Sequence, residues 1–394
     1  MGEDGRRGGT PPRVASFSPT LALGKDVVDD ARHMARALEL AERGWGAASP
    51  NPMVGAVLVR DGEIVGEGWY RGPGAGHPHA EINALAMAGV AASGATLYCT
   101  LEPCDHVGHT PPCTRALIAA GIRRAVVAAS DPNPIVDGRG IARLREAGID
   151  VARGPLTDEA RRLNEAFEHA VTTGRPLVTL KMAATLDGKV AARDGSSRWI
   201  TGEAARADAH RLRAGADAIV IGAGTALADD PSLTVRDGSY AGLPVPRVIV
   251  DAAGRVPATG RAFDNSAPTI VATTERSGSE RREEWLRAGA EVLVLDESDG
   301  GVALEELLST LGKRDVQAVL LEGGPSLAWS AVAGGLVHKL VLYLAPVLAG
   351  GSAAPGILGG EGFAPIGSAG RVRIDRIGRV GDDIRVEAHV HRDR

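Results

Sequence analysis

One histidine, one glutamate and two cysteines carry the most legible chemistry in the sequence: His79-Ala80-Glu81, then Pro103-Cys104, then Pro112-Cys113. An imidazole and two thiolates suit zinc, and three protein ligands with an open fourth position are how a catalytic zinc site is built. Water at that fourth position has its pKa lowered by the metal to about 7, so hydroxide forms near neutral pH without a strong protein base. Glu81 lies two residues past His79, close to the metal without ligating it, and is placed to shuttle protons.

His-x-Glu followed by Pro-Cys and a second Cys matches the zinc deaminase signature, in which an amidine-like ring carbon is attacked and Glu carries protons to the departing ammonia. The cysteines are spaced more widely here than in Cys-x-x-Cys, so the intervening Asp105-to-Pro112 loop must fold back to bring both thiolates to one metal. A closed structural zinc site, with His77, His106 or His109 as fourth ligand, is the alternative; a closed shell has no use for an unligated Glu beside its His. Cys99 falls inside the strand-like run Ala95-to-Glu102 and reads as a small core residue. Asn51, after the first helix, is a candidate to hydrogen-bond a substrate ring edge, although Asn beside Pro is also ordinary turn chemistry.

Two glycine-bearing turns follow strand-like runs in the second half: Gly222-Ala223-Gly224-Thr225, and Glu322-Gly323-Gly324-Pro325-Ser326. A turn of this kind opening a helix presents backbone N–H groups and the positive end of the helix dipole to a phosphate. Neither completes G-x-G-x-x-G, which argues against a Rossmann domain and leaves dinucleotide binding to another fold. Asp229, in Ala228-Asp229-Asp230-Pro231, is a candidate to orient or protonate an opening sugar, or simply a turn cap.

These residues need scaffolding, and the patterns supply it. Val27, Ala31, Met34, Ala35, Leu38 and Ala41 fall near one stripe of a helix from Asp26 that stops at Gly44. Asp61-Gly62 between two β-rich runs predicts a tight hairpin. Strand and helix patterns then alternate, which predicts a mixed α/β layer architecture. A helix over 158–171 leads into Thr172-Thr173-Gly174-Arg175-Pro176, where a domain boundary is expected, giving a tail over 1–24, a first domain over 25–172 and a second over 173–394. The second half continues with strands in DAIVIG, RVIVD, TIVAT, EVLVL and QAVLLE and helices around 203–214, 280–288 and 304–311.

A chain of 394 residues with 44% hydrophobic and 24% charged residues has enough apolar material for two domains. Its 44 basic and 49 acidic residues leave a net charge of −5, and only 3% are aromatic, so a nucleic-acid surface is disfavoured and a small-molecule partner fits better. Three cysteines are too few for a disulfide framework and suit a reducing cytoplasm. The apolar stretch from Leu340 to Ala349, interrupted by Pro346, is far short of the roughly 18 residues that span a bilayer. Residues 1–24, with no apolar h-region, are expected to be a disordered tail rather than a secretory signal.

HPHAEINAL, TLEPCDHVGHTPPC and SDPNP together resemble the deaminase half of the bifunctional riboflavin-biosynthesis deaminase/reductases, whose long Cys spacing is similar. The resemblance continues through LKMAATLDGKVA, SRWITG, ADDPSLTVR and LEGGPSLA and covers nearly the whole chain from about residue 27, with weak motifs over about 238–300. It implies a cytidine-deaminase-like three-layer α/β/α domain followed by a dihydrofolate-reductase-like α/β domain. It also implies zinc-dependent deamination of a diamino-hydroxy-pyrimidine ribosylamino phosphate, then NADPH-dependent reduction of its ribosyl group to ribityl, and a homodimer or tetramer.

Carried over on matching motifs, Ala183, Trp199, Thr225, Asp229 and the segment Gly324-Pro325-Ser326 line the NADPH site, with main-chain contact alone expected at Ala183. Ser197, Arg213, Leu233, Arg236 and Glu322 contact substrate, and Lys181 adds a cation near its phosphate. Arg213 and Arg236 suit an anionic sugar phosphate because guanidinium groups grip phosphate bidentately. The rival readings are a single-function zinc deaminase with a noncatalytic C-terminal module, and a structural-zinc scaffold without turnover.

Overall fold

The computed structural model describes residues 25–73, 78–107, 111–236, 240 and 242–391. Among them two sheets dominate, one for each half of the chain. The expected 1–24 tail lies outside the described residues, as do His77 and His109.

The first sheet has the order β2-β1-β3-β4-β5, formed by β1 (Gly55–Arg60), β2 (Glu63–Trp69), β3 (Thr96–Leu101), β4 (Arg124–Ala129) and β5 (Asp150–Arg153). Asp61 and Gly62 both take positive φ, 53° and 84°, the pair of values that a type I′ turn between β1 and β2 requires. Its helices are α1 (Lys25–Ala41), α2 (Ala80–Ala88), α3 (Cys113–Ala119), α4 (Arg139–Glu146), α5 (Thr157–Leu163) and α6 (Glu165–Thr173). Alternation along the strands builds both layers: Ala56, Leu58, Leu97, Cys99, Ala125 and Val127 pack with Ala80 and Ala84 of α2, Leu117 and Leu144. The intervening Val57, Val59, Tyr98, Val126 and Ala128 pack with Met34, Ala37 and Leu40 of α1 and Ala160 of α5. Cys99 is fully buried in this core, as its run predicts.

Two expectations need correction here. The stripe that α1 buries is Met34, Ala37, Leu40 and Ala41; Ala31, Ala35 and Leu38 are only half-buried, so the helix is rotated by about one residue from the expected face. The single helix expected over 158–171 is broken into α5 and α6 at Asn164. That side chain accepts from Met53 N at 2.7 Å and donates to Met53 O at 2.9 Å, and this tertiary pairing holds its backbone out of the helical region at φ −105°, ψ 21°.

The second sheet has nine strands in the order β10-β9-β8-β7-β13-β6-β14-β16-β15, parallel as far as β14 and antiparallel beyond it. Its strands are β6 (Leu177–Thr185), β7 (Ala218–Gly222), β8 (Arg247–Val250), β9 (Thr269–Thr273), β10 (Glu291–Val294), β13 (Ala318–Leu321), β14 (Lys339–Ala345), β15 (Arg371–Val380) and β16 (Asp383–His391), while β11 (Glu297–Ser298) and β12 (Gly301–Val302) form a separate small ladder. Helices α7 (Glu203–Ala214), α8 (Ala223–Asp229), α9 (Ser279–Arg287), α10 (Leu304–Gly312) and α11 (Pro325–Ala333) flank it. The apolar run at Leu340 is therefore a buried strand, β14, rather than any helix. The sequence patterns give no assignment for β15, which is exposed along nearly its whole length.

The chain first lays out β6 to β10 and then returns to insert β13 between β6 and β7. Strand order reverses around β13, and in open α/β sheets ligands bind beyond the carboxyl ends of strands at such a reversal. The halves also pack on each other. Trp45 Nε1 donates to Arg211 O at 3.2 Å, Gln317 Nε2 to Pro50 O at 2.6 Å, and Lys339 Nζ meets Glu165 at 2.9 Å. No described helix is long and apolar enough to cross a membrane.

Candidate active sites

In the first half, His79 is the N-cap of α2 and Glu81 lies in that helix's first turn, while Cys113 opens α3 and Cys104 lies early in the loop after β3. His79 Nδ1 stands 3.5 Å from Cys104 Sγ and 3.3 Å from Cys113 Sγ, and all three donor atoms lie within 4.8 Å of one another. A tetrahedral zinc sets its N and S ligands roughly 3.5 Å apart, so the donor set fits that ion. Among the described residues only these three gather as metal ligands; His106 is not with them. The loop folds back as its length requires, with Cys113 N 3.4 Å from Cys104 Sγ and Thr114 N bonded to Cys104 O. Hydrogen bonding between the two thiols pushes Cys104 down and Cys113 up, and a bound cation would favour the thiolate at both.

Glu81 is 3% exposed, and burial, aided by the Cys104 thiolate, pushes its carboxyl up to about 7. Asn51 donates to the Tyr70 hydroxyl at 2.8 Å, and the Tyr70 ring meets His79 edge-on with centroids 5.8 Å apart. Asn51 is therefore joined to the metal cluster through Tyr70. Asp131, in the loop after β4, is 8% exposed, and burial pushes it up to about 6. Buried Glu102 anchors that loop by accepting from the backbone N–H groups of Gly138 and Ile141 at 3.1 Å each.

In the second half, Lys181 on β6, Arg213 in the last turn of α7 and Glu322 after β13 converge. Arg213 Nε and Nη2 grip Glu322 at 2.6 and 3.0 Å, Nη1 donates to Thr234 O at 3.3 Å, and Lys181 Nζ stands 3.8 Å from the same carboxylate. Burial alone would raise the Glu322 carboxyl, but Arg213 and Lys181 outweigh it and hold it at about 2. Arg213 positions Glu322 through Nε and Nη2, and these bonds with that to Thr234 use three of its five N–H groups. Arg236 is exposed, its backbone N–H donating to His210 Nδ1 at 3.2 Å. The side chain of Leu233 packs in a core cluster with Ile219, Ile221 and Ile249, which leaves its main chain, at φ 52°, for contact.

The two glycine turns lie side by side: a Cβ on Gly324 would stand 3.1 Å from Thr225 Oγ1. Pro325 and Ser326 form the first turn of α11, with Pro at a position whose missing N–H costs nothing. The cradle thus has open backbone where a Cβ would crowd it, which fits a phosphate-bearing dinucleotide. Trp199 is 71% exposed with Arg206 over its ring at 4.6 Å, and neighbouring Ser197 is half-buried. Asp229 ends α8; Arg198 bonds its carbonyl and approaches its carboxylate at 3.7 Å. Ala183 pairs with Tyr343 of β14 in the sheet.

Comparison with known proteins places this geometry. Residues 27–129 match the family described as the cytidine and deoxycytidylate deaminase zinc-binding region, and residues 176–386 match the RibD C-terminal domain. The Escherichia coli (strain K12) riboflavin biosynthesis protein RibD is 43% identical over 369 residues, covering 91% of this chain and 98% of that one. The chain belongs to the RibD family. RibD of Bacillus amyloliquefaciens is 44% identical over 357 residues, with 90% and 95% covered. Among solved structures, Acinetobacter baumannii RibD (form 1) superposes with a TM-score of 0.82 at 38% identity, covering 93% of this chain and all of that one. A Thermotoga maritima protein described as a diaminohydroxyphosphoribosylaminopyrimidine deaminase/5-amino-6-(5-phosphoribosylamino)uracil reductase gives 0.83 at 35%, with 93% and 100% covered.

Several residues beside these clusters lie outside the sequence expectations. Tyr70 and Glu102 carried no chemical signal of their own. His210 did, since three residues before Arg213 on one helix it shares that residue's face. Asp131 lies within SDPNP, whose spacing by itself signals no chemistry.

Proposed function

We infer that the chain is a bifunctional riboflavin-biosynthesis enzyme, a zinc-dependent deaminase and NADPH-dependent reductase acting in turn on one phosphorylated pyrimidine. The single observation that carries this is the presence in one chain of the His79, Cys104, Cys113 cluster beside buried Glu81 and of a second sheet beside which Lys181, Arg213 and Glu322 converge and two glycine turns lie side by side.

In the deaminase half, His79, Cys104 and Cys113 would hold zinc, which supplies Lewis-acid activation of water when bound. Glu81, in the first turn of α2 and outside the ligand trio, would take one proton from the attacking water and pass it to the ring nitrogen, then take the second proton from the same oxygen and pass it to the amine, which departs as ammonia. Asn51 and Tyr70 border the cluster and orient the pyrimidine edge. In the reductase half NADPH supplies the hydride. Thr225, the Gly324-Pro325-Ser326 turn and exposed Trp199 receive the cofactor, with Ala183 contributing main chain and Asp229 orienting the opening sugar. Glu322, ionised throughout the neutral range, accepts hydrogen bonds from the substrate and does not donate its proton. Arg236, with Ser197 and the Leu233 main chain, meets the anionic sugar phosphate, while Lys181 and Arg213 fix Glu322.

We place the division between the two domains at 172/173, just ahead of the turn between α6 and β6, with the enzyme in the cytoplasm. A homo-oligomer is supported by β15, which among the described residues is an edge strand paired only with β16 and carries Val372, Ile374 and Ile377 at 46, 56 and 64% exposure. The test of function is zinc-loaded protein with the diamino-pyrimidine ribosylamino phosphate, following ammonia and then NADPH absorbance. Ammonia release followed by NADPH consumption is expected; ammonia alone would leave a single-function deaminase.

A further inference from the structure

We propose that Trp45, a residue of the deaminase half, is a positioning residue for the substrate site of the reductase half. This rests on the two-step reading above and adds that the second site is completed by packing from the first domain.

The last turn of α7 carries the residues through which the reductase site is held. Arg213 fixes Glu322, and His210 accepts from the backbone N–H of Arg236. A helix leaves its final four carbonyls without intrahelical donors. In α7 one of these, Arg211 O, accepts instead from Trp45 Nε1 at 3.2 Å, so a side chain from the other domain caps the turn. The indole also lies flat against Gly215, the residue after the helix; a Cβ there would stand 2.2 Å from Trp45 Cζ2.

The next residue tightens the fit. Gly46 has φ 72°, and a Cβ on it would meet Ala214 O at 2.4 Å and the Tyr240 ring at 2.7 Å. A Cβ on Gly242 would meet Gly46 O at 2.2 Å. The segment is thus wedged between the end of α7 and the residues Tyr240 and Gly242. Its other end, Asn51, bonds Tyr70 beside His79. Seven residues therefore run from the wall of one site to the support of the other, and the indole is the contact that meets α7 with both a hydrogen bond and a ring face.

Loss of the indole frees the last turn of α7, and with it the guanidinium that aims Glu322. Small misplacements of aligned groups are costly, so Trp45→Ala is expected to raise the KM for the deaminated pyrimidine phosphate about tenfold, with kcat and the NADPH KM changed by less than about twofold. Ammonia release should stay within the same narrow range, because the metal cluster is untouched. Gly215→Ala is the independent arm: its backbone, at φ −90° and ψ 5°, accepts alanine without strain, so any effect comes from the methyl meeting the ring. It should reproduce the KM defect, and the double variant should be no worse than Trp45→Ala, since removing the ring makes room for the methyl. Trp45→Phe, which keeps a ring face but not the N–H, should fall between.

The assay supplies the deaminated intermediate directly. Unchanged substrate KM in Trp45→Ala and Gly215→Ala overturns the proposal, as do equal losses for substrate and NADPH or strictly additive defects in the double variant. If Trp45→Ala fails to fold, Gly215→Ala and Trp45→Phe decide by the same criteria. Wild-type protein that leaves NADPH unoxidised with this substrate overturns instead the two-step reading.

Discussion

The two halves of the molecule handle buried charge by different means. At the first site the charged and nucleophilic groups come from helix starts and one loop within a stretch of 35 residues, His79 to Cys113, and their thiol and imidazole atoms converge on a point where a cation belongs. At the second, Lys181, Arg213 and Glu322 come from three elements spread over more than 140 residues and neutralise one another directly. The first arrangement leaves Glu81 with its carboxyl raised to about 7, ready to exchange a proton near neutrality. The second leaves Glu322 depressed to about 2, fixed as an anion. One site is organised to move protons, the other to hold a geometry while hydride arrives from elsewhere.

That contrast can be broken most sharply at Glu81. Glu81→Gln should lower deamination by about 10²- to 10⁴-fold while zinc content, measured by metal analysis, stays at one per chain and reduction of the deaminated intermediate is unchanged. Deamination at the wild-type rate would remove Glu81 from proton transfer. Next in size is Glu322→Ala, which strands the Arg213 guanidinium in a buried place. Breaking one side of such a pair costs about 3 kcal/mol, so denaturant unfolding should show the second domain weakened and the first unaltered.

A smaller effect is expected at Arg236→Ala, which should raise the KM for the phosphorylated substrate about tenfold with the NADPH KM unchanged, as fits a charge-assisted bond to phosphate. Equal rises in both would instead mean a loosened domain. The smallest effect is in pH. Because the folded Glu322 carboxyl lies below its ordinary value of 4.5, its contribution to stability is complete above that value and is lost as pH falls toward about 2. Acid titration of stability should therefore flatten over that window in Glu322→Gln. An unchanged slope would mean that the ion pair contributes nothing to folding.

The difference also explains what was legible before the structure. His79, Glu81, Cys104 and Cys113 declare themselves because few uses other than metal chemistry need those types at that spacing, and the structure gathers all four. Arginines declare nothing singly: the sequence offers no sign that Arg213 also pairs with Glu322 and bonds Thr234 O. Leu233 reads as a contact residue, yet its side chain belongs to the core. Apolar periodicity reveals most of the buried parallel strands, but β15, exposed along nearly its whole length with Arg371, Arg373 and Arg376 on one face and Arg379 on the other, offers no such pattern. The break at Asn164 was invisible because its cause, Met53, is more than a hundred residues away.

The contact between the halves bears on whether such an enzyme can be divided. A cut in the turn after α6 would part Lys339 from Glu165 and Gln317 from Pro50, and would separate the Trp45 indole, already 40% exposed, from the foot of α7. Two genes made from this one would each need a resurfaced face, with polar residues where the partner now lies. The deaminase fragment could still bind its metal, whereas the reductase fragment would also need a new cap for the α7 carbonyls. Modularity here runs in one direction: the first half is the easier to lift out.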